Sequence, residues 1–327
     1  MLMLTRRQVF KSLLAAVVAL PVAVAQPVLA QSSGWKRLST TTSPSARMYP
    51  AMAYDLVSKR LVLFGGYGSS GNLNDTWTFD GTTWTQVVTP VAPPVRNGAS
   101  MAFDRFTHKL VMFGGFDVNQ YLGDTWLWDG ATSTWTQAQM TSPPPDATGA
   151  MLFNDPLTGR AMMFGGYNSF NVVPVYNTTW IWAGTYWRKL NPSTQPYPRG
   201  WGIAVTDPLR QDVVLTGGNG DTIRTDNTWT WDGHNWTLLS PTTQIPAFVG
   251  AGSVFDPKIQ EVVVFDALGE TWSWTGTNWV QLTPLNSPTA RSAVGMAYDF
   301  ESDQAIMFGG QFSNGNLVNG TWQFLGQ

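Results

Sequence analysis

Apolar positions along this chain fall in short runs separated by turn residues, with no long stretch at helical period. One region shows the pattern: "GASMAFD" (98–104), "KLVMFGG" (109–115), "DTWLWD" (124–129) and "TWTQA" (134–138). Runs of this length, rich in aromatic and β-branched residues and bounded by Gly, Asp and Pro, predict strands. Asp-Gly at 80–81, 129–130 and 232–233 predicts tight hairpins between the last two strands of such a set. The chain therefore reads as all-β, built from four-stranded units.

The unit repeats. Thr-Trp pairs begin at Thr76, Thr125, Thr179, Thr228, Thr271 and Thr321, and Gly-Gly pairs stand at 65–66, 114–115, 165–166, 217–218 and 309–310. A further Trp follows at Trp84, Trp135, Trp187, Trp236 and Trp279. The sixth copy ends before its own, but "GWKRL" (34–38) matches "YWRKL" (186–190) and "NWVQL" (278–282). The N-terminal strand thus completes the last repeat and closes a ring. The glycine pair permits positive φ and close approach of a neighbouring backbone, and the indoles give each sheet bulk to pack on the next.

A period near 50, Gly-Gly after an apolar strand and downstream tryptophans resemble the kelch repeat. The resemblance spans residues 34–327 and implies a six-bladed β-propeller, each copy being one blade. It also implies a central channel lined by the innermost strands. One face would carry the loops entering those strands and the loops between second and third strands, and that face commonly binds the partner. The motif is specific for fold and nearly silent on function.

Residues 1–30 predict a cleaved leader: Arg6-Arg7 with Phe10 and Lys11, an apolar run, then small residues at Ala25 and Ala30, resembling the twin-arginine type. Residues 31–327 would then be one exported, periplasmic or extracellular propeller, monomeric and not inserted in a membrane. Cleavage leaves 16 Lys+Arg against 21 Asp+Glu, about −5, which argues against nucleic acid as a partner. The absence of cysteine excludes disulfides, thiolate catalysis and the Cys–Tyr cross-link of copper-radical kelch oxidases. His108 and His234 fall in turns without a partner at metal spacing, so neither metal nor cofactor is expected. The same inventory argues against a Ser/His/Asp triad. The Asn-x-Thr triplets at Asn74, Asn177, Asn235 and Asn319 are repeat positions, and "GGNGD" (217–221) is not followed by the helix of a phosphate loop.

Candidate site residues come from the predicted channel mouth. The inner strands are read as ending at Asp55, Asp104, Asn154, Asp207, Asp256 and Asp299, and eight positions earlier stand Arg47, Arg96, Asp146, Arg199, Phe248 and Arg291. Two residues further on, Tyr49 and Trp201 fall in blades one and four, opposite each other on the ring. One reading is an anion pocket, with arginine forks on a carboxylate and the two aromatic rings stacking on the ligand. The other is that the arginines, recurring with the repeat, bond carbonyls or acids of the scaffold. Between glycine pair and Thr-Trp the loops hold nine, nine, twelve, nine, three and ten residues. Blade five has lost its arginine, its glycine pair (now Asp266-Ala267) and most of its loop, which reads either as a lowered rim beside Asp266 and Glu270 or as a neutral deletion in a surface loop. Tyr67, Phe116, Tyr167 and Gln311, just after glycine pairs, would line the same face. The function expected is a binding or scaffold module for a protein or saccharide. The alternative is a carbohydrate-active enzyme resembling the sialic-acid mutarotases, with Asp146 and Asp266 as general acid and base.

Overall fold

A computed structural model describes residues 34–170, 175–220 and 226–326, so the expected leader lies outside the described residues. Among them, six antiparallel sheets follow one another in chain order, five of four strands and one, in blade one, of five because Arg47–Met48 also pairs with its second strand. Blade two is representative: Ser100–Asp104, Lys109–Phe113, Thr125–Asp129 and Thr134–Gln137, from channel to rim. Each inner strand packs beside its neighbours, so the six surround a common axis. The ring closes as the repeat phase requires. Trp35–Leu38 pairs antiparallel with Thr321–Phe324, in register Trp35↔Phe324 to Leu38↔Thr321, and becomes the outer strand of blade six.

One contact is repeated at every blade boundary. The outer-strand indole donates from Nε1 to the Thr hydroxyl of the preceding blade: Trp84 to Thr321, Trp135 to Thr76, Trp187 to Thr125, Trp236 to Thr179, Trp279 to Thr228 and Trp35 to Thr271, all at 2.9–3.0 Å. Both partners are buried. Each bond contributes about 1 kcal/mol net, but an unpaired indole N–H there would cost more. Within each blade the same indole packs against an aromatic ring of the third strand. That ring is Trp in blades two to five (as Trp128–Trp135, 5.2 Å) and Phe in blades one and six (Phe79–Trp84, 4.9 Å; Phe324–Trp35, 5.2 Å). This explains why Thr-Trp-x-Trp and the later Trp recur together.

The acid ending each inner strand is a turn cap. Asp55 accepts from the Val57 N–H and the Ser58 hydroxyl, and Asp104 from the N–H and hydroxyl of Thr107. In blade three that role belongs to Asp155, which accepts from Thr158. Asn154 is therefore one residue out of register; its amide donates to the carbonyls of Phe103 and Gly159 instead. The shift carries through the blade. Ala147, whose carbonyl accepts from Gly115 as that of Arg96 does from Gly66, is the true counterpart of the arginines, and Asp146 is not.

Candidate functional site at the channel mouth

Six residues, one per blade, form a ring of backbone hydrogen bonds where the chain enters the inner strands. Each N–H donates to the carbonyl of the blade before: Gly98 to Tyr49, Gly149 to Gly98, Trp201 to Gly149, Gly250 to Trp201, Ala293 to Gly250 and Tyr49 to Ala293, at 2.7–3.0 Å. All six have positive φ, between 52° and 70°. Glycine is expected there, and three of the six are glycine. Tyr49 and Trp201 hold the same left-handed conformation with large side chains, a strain of order 1–3 kcal/mol each that persists only where the surroundings impose it.

Those two side chains meet across the channel axis, with ring centroids 4.3 Å apart and planes inclined by 50°. The glycines make this possible. A Cβ at Gly98 or Gly149 would run into the Trp201 indole, and one at Gly250 would press on the Tyr49 ring. Both rings are half-buried. Neither the Tyr49 hydroxyl nor the Trp201 indole N–H has a hydrogen-bond partner among the described residues. Burial pushes the Tyr49 phenol up. The pair caps a cavity of about 220 Å³ lined by all six blades, whose walls are the backbone ring and the first residues of the inner strands.

The arginines do not join them. Arg47 and Arg96 are buried and turned into their own blades, where each makes a forked pair with an aspartate: Arg47 to Asp75 at 2.6 and 2.8 Å, Arg96 to Asp124 at 2.6 and 2.8 Å. Each also donates to the first carbonyl of the glycine pair, Gly65 or Gly114. Arg199 makes the same contacts with Gly217 and the neutral Asn227, and burial lowers its pKa to about 10. The anion fork expected of Arg47, Arg96 and Arg199 is thus already occupied, by the loop between second and third strands. Although burial alone would raise Asp75, hydrogen bonds and charge from Arg47 hold it below the usual carboxylate range.

This assignment also explains blade five. Its glycine pair and long loop are replaced by a tight turn in which Asp266 accepts from the N–H groups of Leu268 and Glu270, both at 2.9 Å. With no long loop to pin, an arginine has no task. Phe248 occupies its place, buried in one apolar cluster with Val262 and Trp272 and facing Gly217 of blade four. In blade five the loss of arginine accompanies the loss of the loop, whereas blade three has Ala147 at the arginine position and keeps the longest loop. Asp266 is buried and spent on its own turn, and burial raises its pKa. Asp146 is exposed, with its pKa raised by desolvation and by the Asp124 charge. No hydrogen bond or ring contact links either acid to the axial pair.

Two further features were not expected from sequence. On the loop face, Tyr121 gathers Phe116, Tyr167 and Phe170 into one aromatic cluster, with centroids 4.9, 6.0 and 5.2 Å away, and its hydroxyl lies 2.9 Å from that of Ser169. Tyr67 is exposed on the same face, and Gln311 bonds the Gly315 carbonyl of its own loop. On the opposite face the channel widens into a cavity of about 710 Å³ walled by Tyr54, Phe103, Phe153, Phe255 and Tyr298. Leu56, Leu157 and Phe300 stand exposed at its rim. The only sequence signal for it was the apolar residue following most inner-strand acids, which reads as turn composition until the ring is assembled. Both histidines are exposed in turns, His108 at positive φ.

Residues 28–218 match the KLHDC2/KLHL20/DRC7 Kelch-repeats domain. The chain belongs to the kelch-repeat family. The match covers blades one to three and the first two strands of blade four, and the same four-stranded unit continues through the rest of the ring. A solved structure described as "Structure of YjhT" is similar over 86% of this kelch chain and 95% of that chain, with TM-score 0.67 and 16% sequence identity. At that identity the likeness concerns the fold alone. No curated protein matches the chain.

Proposed function

We propose that this kelch propeller is an exported binding module whose ligand seats on the axial Tyr49–Trp201 pair at the loop face. The observation that carries the proposal is that two bulky residues hold a strained backbone to place their rings on the channel axis, each with an unspent polar tip. Aromatic faces with free hydroxyl and N–H groups suit a saccharide ring or an extended peptide. The nearby cluster around Tyr121 extends the same surface chemistry. Arginines already paired with aspartates lend no support to an acid-sugar enzyme, so catalysis is not part of the proposal.

Calorimetric titration of the protein lacking residues 1–30 with neutral oligosaccharides and with unstructured peptides tests this. Binding that Trp201→Ala and Tyr49→Ala each weaken at least tenfold, without loss of fold, is the expected result. Binding that both substitutions leave intact rules the axial pair out. A second reading rests on the 710 Å³ cavity of the opposite face: a ligand with an apolar body would enter there and respond to Leu157→Asp rather than Trp201→Ala. Export by the twin-arginine route is tested by replacing Arg6 and Arg7 with lysine, which should retain the precursor in the cytoplasm.

A further inference from the structure

The position corresponding to Asp75 and Asp124 differs from blade to blade, and its partner changes with it. Blade three has Ala147 with Thr178, blade four Arg199 with Asn227, and blade five Phe248 with Glu270, whose carboxylate takes the Trp272 indole N–H at 3.1 Å. In blades one and two the aspartate serves two donors, the arginine fork and the indole of the Thr-Trp pair: Trp77 to Asp75 at 2.6 Å and Trp126 to Asp124 at 2.7 Å. Blade six alone keeps the arginine and loses the acceptor. Arg291 remains, but the acid position is Gly320.

Both donors are consequently left over. Arg291 is 5% exposed, donates from Nε to the Thr289 carbonyl at 2.9 Å and has no carboxylate partner among the described residues. Its guanidinium lies over the Phe312 ring at 5.1 Å and the Trp322 ring at 5.7 Å. The Trp322 indole N–H is buried with no acceptor among the described residues, whereas its counterparts Trp77, Trp126, Trp180, Trp229 and Trp272 each have one. A buried guanidinium without a counter-charge and a buried N–H without an acceptor are each costly. Arg37, on the neighbouring outer strand, adds a second positive charge; burial and that charge together lower the Arg291 pKa to about 10. Gly320 lies beside both orphans: a Cβ there would stand 2.9 Å from Trp322 Nε1 and 3.7 Å from Arg291 Nη1.

We infer that blade six holds a carboxylate-binding site, in which the guanidinium of Arg291 and the indole N–H of Trp322 receive from a ligand the carboxylate that Asp75 and Asp124 supply internally. The chemistry required is one planar anion able to accept from a fork and from an adjacent N–H at once, which a carboxylate does. The equivalent position is partly open to solvent in blades one and two, whereas Gly320 and the Trp322 N–H of blade six are buried. The aspartates that mark it in blades one and two keep 20% and 19% of their side-chain surface exposed. The carboxylate can be a free small ion or one carried on a sugar acid, and the two sources share the same contacts. This inference rests on blade six alone and stands apart from the axial pair.

The test is the Trp322 indole resonance in ¹⁵N–¹H spectra of the protein lacking residues 1–30, assigned by its absence in Trp322→Phe. Acetate and glucuronate are titrated separately, with sodium chloride and glucose as matched controls. Saturable movement of that resonance with acetate is expected, at least tenfold weaker in Arg291→Met and unchanged in Trp201→Ala. Movement with glucuronate at much lower concentration than acetate assigns the site to a sugar acid; equal response assigns it to free carboxylate. Gly320→Asp, which supplies the acceptor internally, should place the resonance near its acetate-bound position and abolish the response. If Gly320→Asp does not fold, carboxylate-dependent rise of the melting temperature and its loss in Trp322→Phe decide the matter. A resonance that ignores both carboxylates, or follows chloride equally, overturns the proposal.

Discussion

Trp35 Nε1 donates to the Thr271 hydroxyl at 3.0 Å across 236 residues of sequence, joining blade six to blade five through a strand from the other end of the chain. The same bond at the other five boundaries joins residues 51 to 237 apart, so the ring treats sequence-distant and sequence-near neighbours alike. The N-terminal strand is thus a full member of blade six.

Trp35→Ala should cost about 3–5 kcal/mol, the range for truncating a fully buried aromatic, with the Thr271 hydroxyl losing its partner as well. Urea denaturation gives the value. Deleting residues 34–38 should lower the unfolding midpoint further, because Thr321–Phe324 becomes an open edge. An unchanged midpoint in the deletion would contradict closure by this strand.

Arg47→Ala leaves Asp75 charged, half-buried and without its fork, so a loss of about 3–5 kcal/mol is expected for breaking such a pair. Arg199→Ala should cost less, since Asn227 is neutral and has the Trp229 N–H as another partner. Thermal denaturation of the two variants side by side checks the order; equal losses would show that the carboxylate contributes nothing beyond its hydrogen bonds.

Trp201 sits at φ 64°, so the usual ranking of Ala over Gly should invert there. Trp201→Gly should be more stable than Trp201→Ala by about 1 kcal/mol, because glycine alone adopts that backbone without strain. Chemical denaturation of both variants decides it, and an Ala variant that is the more stable would mean the backbone relaxes when the indole leaves.

Asp212 opposes Asp207 directly across the hairpin of blade four, with Arg210 bound to Asp207 at 2.5 Å. Burial first, and the Asp207 charge second, push the Asp212 carboxyl up to about 6, only partly offset by Arg210. A raised folded-state pKa favours the protonated form, so its contribution is fully present below the unfolded value near 4 and is lost as pH rises through about 6. Asp212→Asn should therefore raise the melting temperature at pH 8 and bring little change at pH 4. A shift of the same size at both pH values would exclude this linkage.

The propeller was legible because its signals are local and repeated. Strand runs, the glycine pair at positive φ and the Thr-Trp-x-Trp ending each answer to a contact made six times or nearly so, and even ring closure could be read from the match of "GWKRL" to later copies. Register within one blade was less secure. A single-residue offset placed Asn154 and Asp146 where Asp155 and Ala147 belong, since spacing alone does not say which residue caps the turn.

Side-chain direction was beyond the sequence. The same arginine spacing suits a channel mouth or a loop clamp, and only the fold brings Asp75 and Asp124, 28 residues away, within 2.6 Å of Arg47 and Arg96. Tyr49 and Trp201 could be placed on opposite blades by counting, but their contact required glycine at Gly98, Gly149 and Gly250 to leave the axis open. Sequence by itself determined the repeat, the blade count and the closing strand, because period and local turn chemistry are properties of neighbouring residues. The tertiary structure decided which arginines are engaged, which one is left unpaired, and where two rings meet, because those depend on distances between segments that the chain separates by tens to hundreds of residues.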